Sequence, residues 1–371
     1  MLSFSSIIFT LFTILELIIL HCVRFSENKK IVDLFLAFGV CLFITHFLLY
    51  FNVLHYSYSD DFLEYIKWFE GVARLDSYTD IDLWGKDPGF SYLLFVFTRV
   101  FDSPGTFVLL ISIYVVVFIW SLAKFSSKGA PAQSLLLFFF FMLSMILLNR
   151  LALSHYSNVI RSFICSSLLI YCYLKVLDRK YIWCFFIPLV LLVHKFQFIL
   201  FFICLLTVYL VPLRIILFGF LLSLLSFPTG FFAKFIVEQV TQNIEVLKNI
   251  YNSRILADEM KFTWGRKFQV ILLIILPIGY LLIATIEKWA FKKNVAHQDK
   301  KLIKLALVTT VYYLLLVEVF PSSDRFPVIL LPITYIMLIK YCSRNVIYAF
   351  SLLSIFLAFI AMQRNLEHLI I

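Results

Sequence analysis

"SNVIRSFICSSLLIYCYLKV", residues 157–176, is the stretch on which the fold turns. It is apolar over the length a helix needs to cross a hydrocarbon core of ~30 Å. It also carries an arginine, Arg161, just inside one end. At the centre of a spanning helix an arginine costs roughly 2.5–3.5 kcal/mol on insertion scales. A cation in that place needs something to hold.

Runs of the same kind fill the chain on both sides. They fall at about 4–23, 31–51, 105–123, 131–148, 158–177, 181–194, 196–212, 215–232, 268–287, 303–320, 326–341 and 345–361. The expectation is about twelve crossings, with the pair 181–194 and 196–212 short for two separate spans. Of 371 residues, 62% are hydrophobic and only 15% charged, a composition that would leave a soluble domain with far too much apolar surface. The weak ten-residue alternation of a transmembrane barrel is not seen. The predicted fold is therefore all-α: a polytopic integral membrane protein, residues 1–371 forming one transmembrane domain.

Several other classes drop out. The run from Phe4 to Val23 has no cationic start or small-residue cleavage site and contains Glu16, so it reads as a retained first span. Seven cysteines all lie in apolar runs without a C-x-x-C pair, unlike a disulfide or metal framework. The formal charge of +10 has no basic soluble domain to serve, so membrane lipid, and not nucleic acid, is the expected surroundings.

Short basic loops alternate along the chain: "RFSENKK" (24–30), "KFSSK" (124–128), "KVLDRK" (175–180), Arg214, "KWAFKKNVAHQDKKLIK" (288–304) and "KYCSR" (340–344). By the positive-inside rule they face the cytoplasm. Both termini and the two long loops, 52–88 and 233–267, then lie outside. The first long loop is acidic. Its "DFLEYIKWFEGV" sets Phe62, Tyr65, Phe69 and Val72 at helical spacing, an amphipathic helix on the membrane surface or against the bundle. Ile236, Val240, Ile244, Leu247 and Tyr251 repeat the pattern in the second loop. Both loops are expected to act as lids over a substrate. "GFSYLLFVFTRVFDS", between Pro88 and Pro104, is too short to span and reads as re-entrant or interfacial.

Three polar residues return to one depth. Arg161 lies 14 residues before Lys175 at the cytoplasmic edge, or ~21 Å up a helix; His194 is 13 residues above Tyr181, ~20 Å. Arg325 is 15 residues above Lys340, ~22 Å. Each also has a plainer reading. Arg161 can snorkel to headgroups, His194 beside Lys195 can mark the interface, and Arg325 can pair with Asp324 in a proline-bracketed turn. Glu16 and Glu318 are apolar-run carboxylates, open as arginine partners or as parts of an ion path. Taken together, two guanidinium forks suit a phosphate or diphosphate ester, and a histidine suits proton transfer from a sugar hydroxyl. A lipid-linked sugar diphosphate entering from the bilayer meets these demands. The chemistry would be glycosyl transfer.

The ordered motifs resemble the Wzy/EpsG group of polysaccharide polymerases. "DFLEY" matches a D-Y-x-x-Y-like element through Asp61 and Tyr65, with Phe62 in place of the first tyrosine. "DPGF" supplies Asp87, Ile160–Arg161 matches an "IR" opening a helix, "LVH" ends on His194, and "DRF" carries Arg325. The agreement runs from about residue 50 to 330. Ser162 stands where the family often has glutamine, and Lys195 and Phe196 where small residues usually follow the histidine. The resemblance implies a GT-C-like inner-membrane glycosyltransferase that polymerises undecaprenyl-diphosphate-linked oligosaccharides with its active site outside. It implies His194 and Asp61 as catalytic and Arg161, Arg325, Tyr65 and Asp87 as substrate-binding. It implies no metal or cofactor, and a chain-length regulator and a flippase as partners. An O-antigen ligase or a lipid-phosphate sugar transferase is the nearest alternative, the latter making Asp60 and Asp61 catalytic. A flippase or exporter would string charges through the membrane, whereas these concentrate at one rim. Acyl transfer would want a histidine–acid pair on the cytoplasmic side, which the central helices do not offer.

Overall fold

A computed structural model describes residues 4–25, 28–57, 60–80, 88–101, 103–127, 132–147, 160–227, 267–268, 270–290, 296–316 and 325–368. Among them there are thirteen α-helices and no strand. We number them α1 (Phe4–Phe25), α2 (Lys29–Ser57), α3 (Asp60–Ala73), α4 (Pro88–Val100), α5 (Pro104–Ser126), α6 (Ala132–Met142), α7 (Ile160–Leu177), α8 (Ile187–Leu210), α9 (Leu213–Ser226), α10 (Leu276–Ala290), α11 (His297–Leu316), α12 (Phe326–Tyr341) and α13 (Arg344–His368). A 3₁₀ stretch, Tyr181–Phe186, leads into α8.

Five stretches are long and apolar enough to cross a membrane: Ile7–Phe25, Lys29–Leu49, Pro104–Ser126, Ile160–Leu177 and Tyr181–Leu210. Five shorter apolar helical segments lie in α6, α9, α10, α12 and α13. The two runs expected at 181–194 and 196–212 are helical stretches that meet at a kink at His194. The segment after Pro88 is a helix of 13 residues, too short to span, in line with the interfacial reading.

Local sequence explains the boundaries. Ser103 caps α5, its hydroxyl accepting from the Thr106 N–H, with Pro104 in the first helical position where no donor is needed. At the end of α7 the Lys180 N–H reaches the Lys175 carbonyl and the Arg179 N–H the Val176 carbonyl. That is a Schellman ending, and it puts Arg179 in the left-handed region at φ 61°. The basic "KVLDRK" loop is thus a tight stop as well as a charge cluster.

By its contacts the chain divides into two compact units, Met1–Phe198 with Leu338–Ile371, and Ile199–Met337. In the first, α1 packs on α2 and α13, α2 also on α5 and α6, α5 on α7, and α3 on α4 and α5. Gly39 lets α2 close on α1, since a Cβ there would stand 2.8 Å from an Ile19 methyl. A buried pair joins the same two helices: His46 Nδ1 and Glu16 Oε1 are 2.6 Å apart. Glu16, open from sequence as an arginine partner, therefore faces an imidazole. In the second unit α9 packs on α11. There Thr207 of α8 shares a hydrogen bond of 2.9 Å with Tyr312, and Lys304 donates to the Val208 carbonyl near the end of α8.

Burial separates the helices sharply. The α7 window is 72% buried, against 33–50% for the other four spanning windows. Neither α7 nor α12 has a single exposed residue, whereas α9 exposes Ile215, Phe218, Leu221 and Leu225 along one stripe. The two sealed helices are the ones that carry Arg161 and follow Arg325.

Candidate functional site

Arg161 stands in the first turn of α7, half-buried. Its guanidinium carbon lies 5.5 Å from the Trp68 ring centroid and 5.8 Å from that of Phe90. Those rings form a cluster with Tyr65, with centroids 5.3 Å apart for Tyr65–Trp68 and 5.5 Å for Tyr65–Phe90, all edge-to-face. Tyr65 and Trp68 are three apart on α3, hence on one face, and Phe90 comes from the start of α4. Three helices therefore converge on one cation. A guanidinium over aromatic faces gains about 0.5–2 kcal/mol and leaves its N–H edges for acceptors.

His194 is set by register. The Cys172 thiol reaches the Trp183 carbonyl at 3.1 Å, and the Cys165 thiol the Val190 carbonyl at 3.7 Å. Seven residues down one strand of chain match seven up the other, so α7 and Tyr181–Val190 run antiparallel. One turn further on each side come Arg161 and His194. Counted from that register, the two come to about the same level.

At His194 the backbone leaves the helix, with φ −161° and ψ 86°. A straight continuation would carry Gln197 about 10 Å past Val190, away from Ser166. Instead Gln197 Nε2 donates to Ser166 Oγ at 2.6 Å. The chain bends at the histidine, and His194 is the apex of the bend. Gly89 seats α4 against the chain just before this bend: a Cβ there would lie 2.7 Å from the Leu192 carbonyl carbon, so only glycine fits. The glycine of "DPGF" thus has a packing reason.

The apex region is buried and polar. His194 and Gln197 are buried, as are Ser162 and Ser166, which share a face of α7 four residues apart. Among the described residues, Gln197 Oε1 and Ser162 Oγ have no hydrogen-bond partner.

The structure brings Tyr65 to Arg161 through the aromatic cluster, and His194 stands at the bend one turn past the Cys165–Val190 contact. Asp61 lies in the first turn of α3, its side chain outside the described residues. Asp87, Glu318, Asp324 and the stripe 236–251 are likewise outside them. Arg325 is half-buried just before α12 and belongs to the second unit. Sequence reasoning missed Trp68, Phe90 and Gln197. Trp68 was findable, completing the 65–68–69–72 stripe; Gln197 was not, since nothing local marks its partner. Among the described residues no group of three or more His, Cys, Asp or Glu is placed to hold a metal ion.

Helices this long and apolar, packed around a sealed span that carries an arginine, define a polytopic membrane protein. The chain matches the EpsG family over residues 39–368 and belongs to that family. No curated relative and no solved structure matches it.

Proposed function

We propose that the protein polymerises undecaprenyl-diphosphate-linked oligosaccharide repeat units at the outer face of the bacterial inner membrane. An acceptor sugar hydroxyl attacks the anomeric carbon of the donor unit, and the bond from that carbon to the diphosphate oxygen breaks. His194 takes the hydroxyl proton, and the lipid diphosphate leaves with the bonding electrons. Arg161 stabilises the charge that develops on the leaving group, where a fixed donor is worth most. Arg325 is assigned the same ligand, on the sequence argument. Asp61 is assigned as an auxiliary base or arginine partner, with Tyr65 and Asp87 binding sugar. The family supports the polymerase role, and the seating of Arg161 on Trp68 and Phe90, one turn above the Cys165–Val190 contact that leads to His194, supports the site.

The test uses purified protein in proteoliposomes with lipid-linked repeat units. Arg161→Lys should fail almost as badly as Arg161→Ala, because lysine keeps the charge and loses the fork. His194→Ala should keep substrate binding and lose turnover by about 10²–10⁴-fold. A fully active Arg161→Lys enzyme would sink the assignment. Deleting the gene discriminates the rivals. One repeat unit per surface lipid means polymerase, no glycan on the lipid core means ligase, and loss of all surface glycan means exporter.

A further inference from the structure

The buried amide of Gln197 is poorly explained as packing. One arm is bonded to Ser166 at 2.6 Å and the other has no partner among the described residues. A methionine would fill the same space without leaving a polar atom unsatisfied. What the amide does supply is a tie across the apex. Before the turn, the chain is fastened to α7 by Cys165 to Val190, and α4 is wedged against it at Gly89. After the turn, the fastening is Gln197 to Ser166.

We propose that Gln197 and Ser166 are positioning residues that fix the chain just after the bend and thereby aim His194 at the level of Arg161. This rests on reading His194 as the general base. A base must stand within hydrogen-bond reach of the proton it takes, and displacement by about 1 Å costs on the order of 10²-fold in rate. The tie lies three residues after the base. It fastens the chain there to α7 by a directional bond, which apolar packing does not supply.

The experiment separates aim from stability. The double variant Ser166→Ala with Gln197→Met removes both polar groups together, so its Tm in detergent should equal or exceed that of the parent. Its kcat on lipid-linked repeat units, purified from a strain lacking the polymerase, should fall about 10- to 100-fold with KM nearly unchanged. Exchanging the partners, Ser166→Gln with Gln197→Ser, rebuilds a bond between the same helices and should recover most of the kcat. The proposal is overturned if the double variant keeps parental kcat. It is equally overturned if KM rises while kcat holds, which means Gln197 touches substrate. A double variant that loses Tm in step with kcat, or an exchange that rescues nothing, reduces the pair to fold support. A parental enzyme that makes no polymer defeats the polymerase reading itself, a separate result.

Discussion

A planar cation gives its flat face to aromatic rings and its edges to hydrogen-bond acceptors, and Arg161 is placed for that division of labour. The sequence shows the arginine and its depth, because an arginine inside an apolar run stands out against its neighbours. It does not show the rings, because Trp68 and Phe90 belong to helices 70 or more residues away and no local spacing encodes that meeting. Carboxylates of the acidic loop divide in the same way. Asp80 is exposed at the end of a 3₁₀ turn, while Asp61 shares α3 with Tyr65 and Trp68. Asp61→Asn should shorten the polymer strongly, and Asp80→Asn should leave its length unchanged on a gel. Equal tolerance at both positions would make α3 a scaffold for the rings and nothing more.

Between α1 and α2 the decisive feature is the Glu16–His46 pair, buried on both sides. Taking two such groups out of water costs about as much as their attraction returns, so the pair adds little net stability. Breaking it is another matter. His46→Leu strands a buried carboxylate and should cost about 3–5 kcal/mol, read as a lowered Tm in detergent. The double change Glu16→Leu with His46→Leu should come back to parental stability or better. A double variant as unstable as the single one would show that the pair does more than satisfy itself. Hydropathy located α1, α2 and α7 well, since each is a run of spanning length. It divided Tyr181–Leu210 correctly at the histidine but gave no reason for the break. Just past the break Gln197 bonds Ser166, 31 residues away, and period and propensity do not reach that far.

For the whole chain, the short basic loops imply that both termini and the loops 52–88 and 233–267 face outward. In a protein stripped of its own cysteines, a cysteine at position 75 should react with an impermeant maleimide added to intact cells, and one at 295 should not. The opposite pattern would turn the arginines toward the cytoplasm and remove the reading of the site. The uneven sealing of the helices bears on how such a protein changes over generations. A residue whose neighbours are lipid tails can be exchanged for almost any apolar side chain, because a fluid solvent reshapes itself around the newcomer. A residue enclosed by protein on every side has no such freedom. The stripe Ile215, Phe218, Leu221, Leu225 on α9 is therefore open to drift, while α7 and α12 offer drift no outlet. In a saturation library selected for surface polysaccharide, surviving sequences will scatter along α9 and stay nearly monotone along α7 and α12.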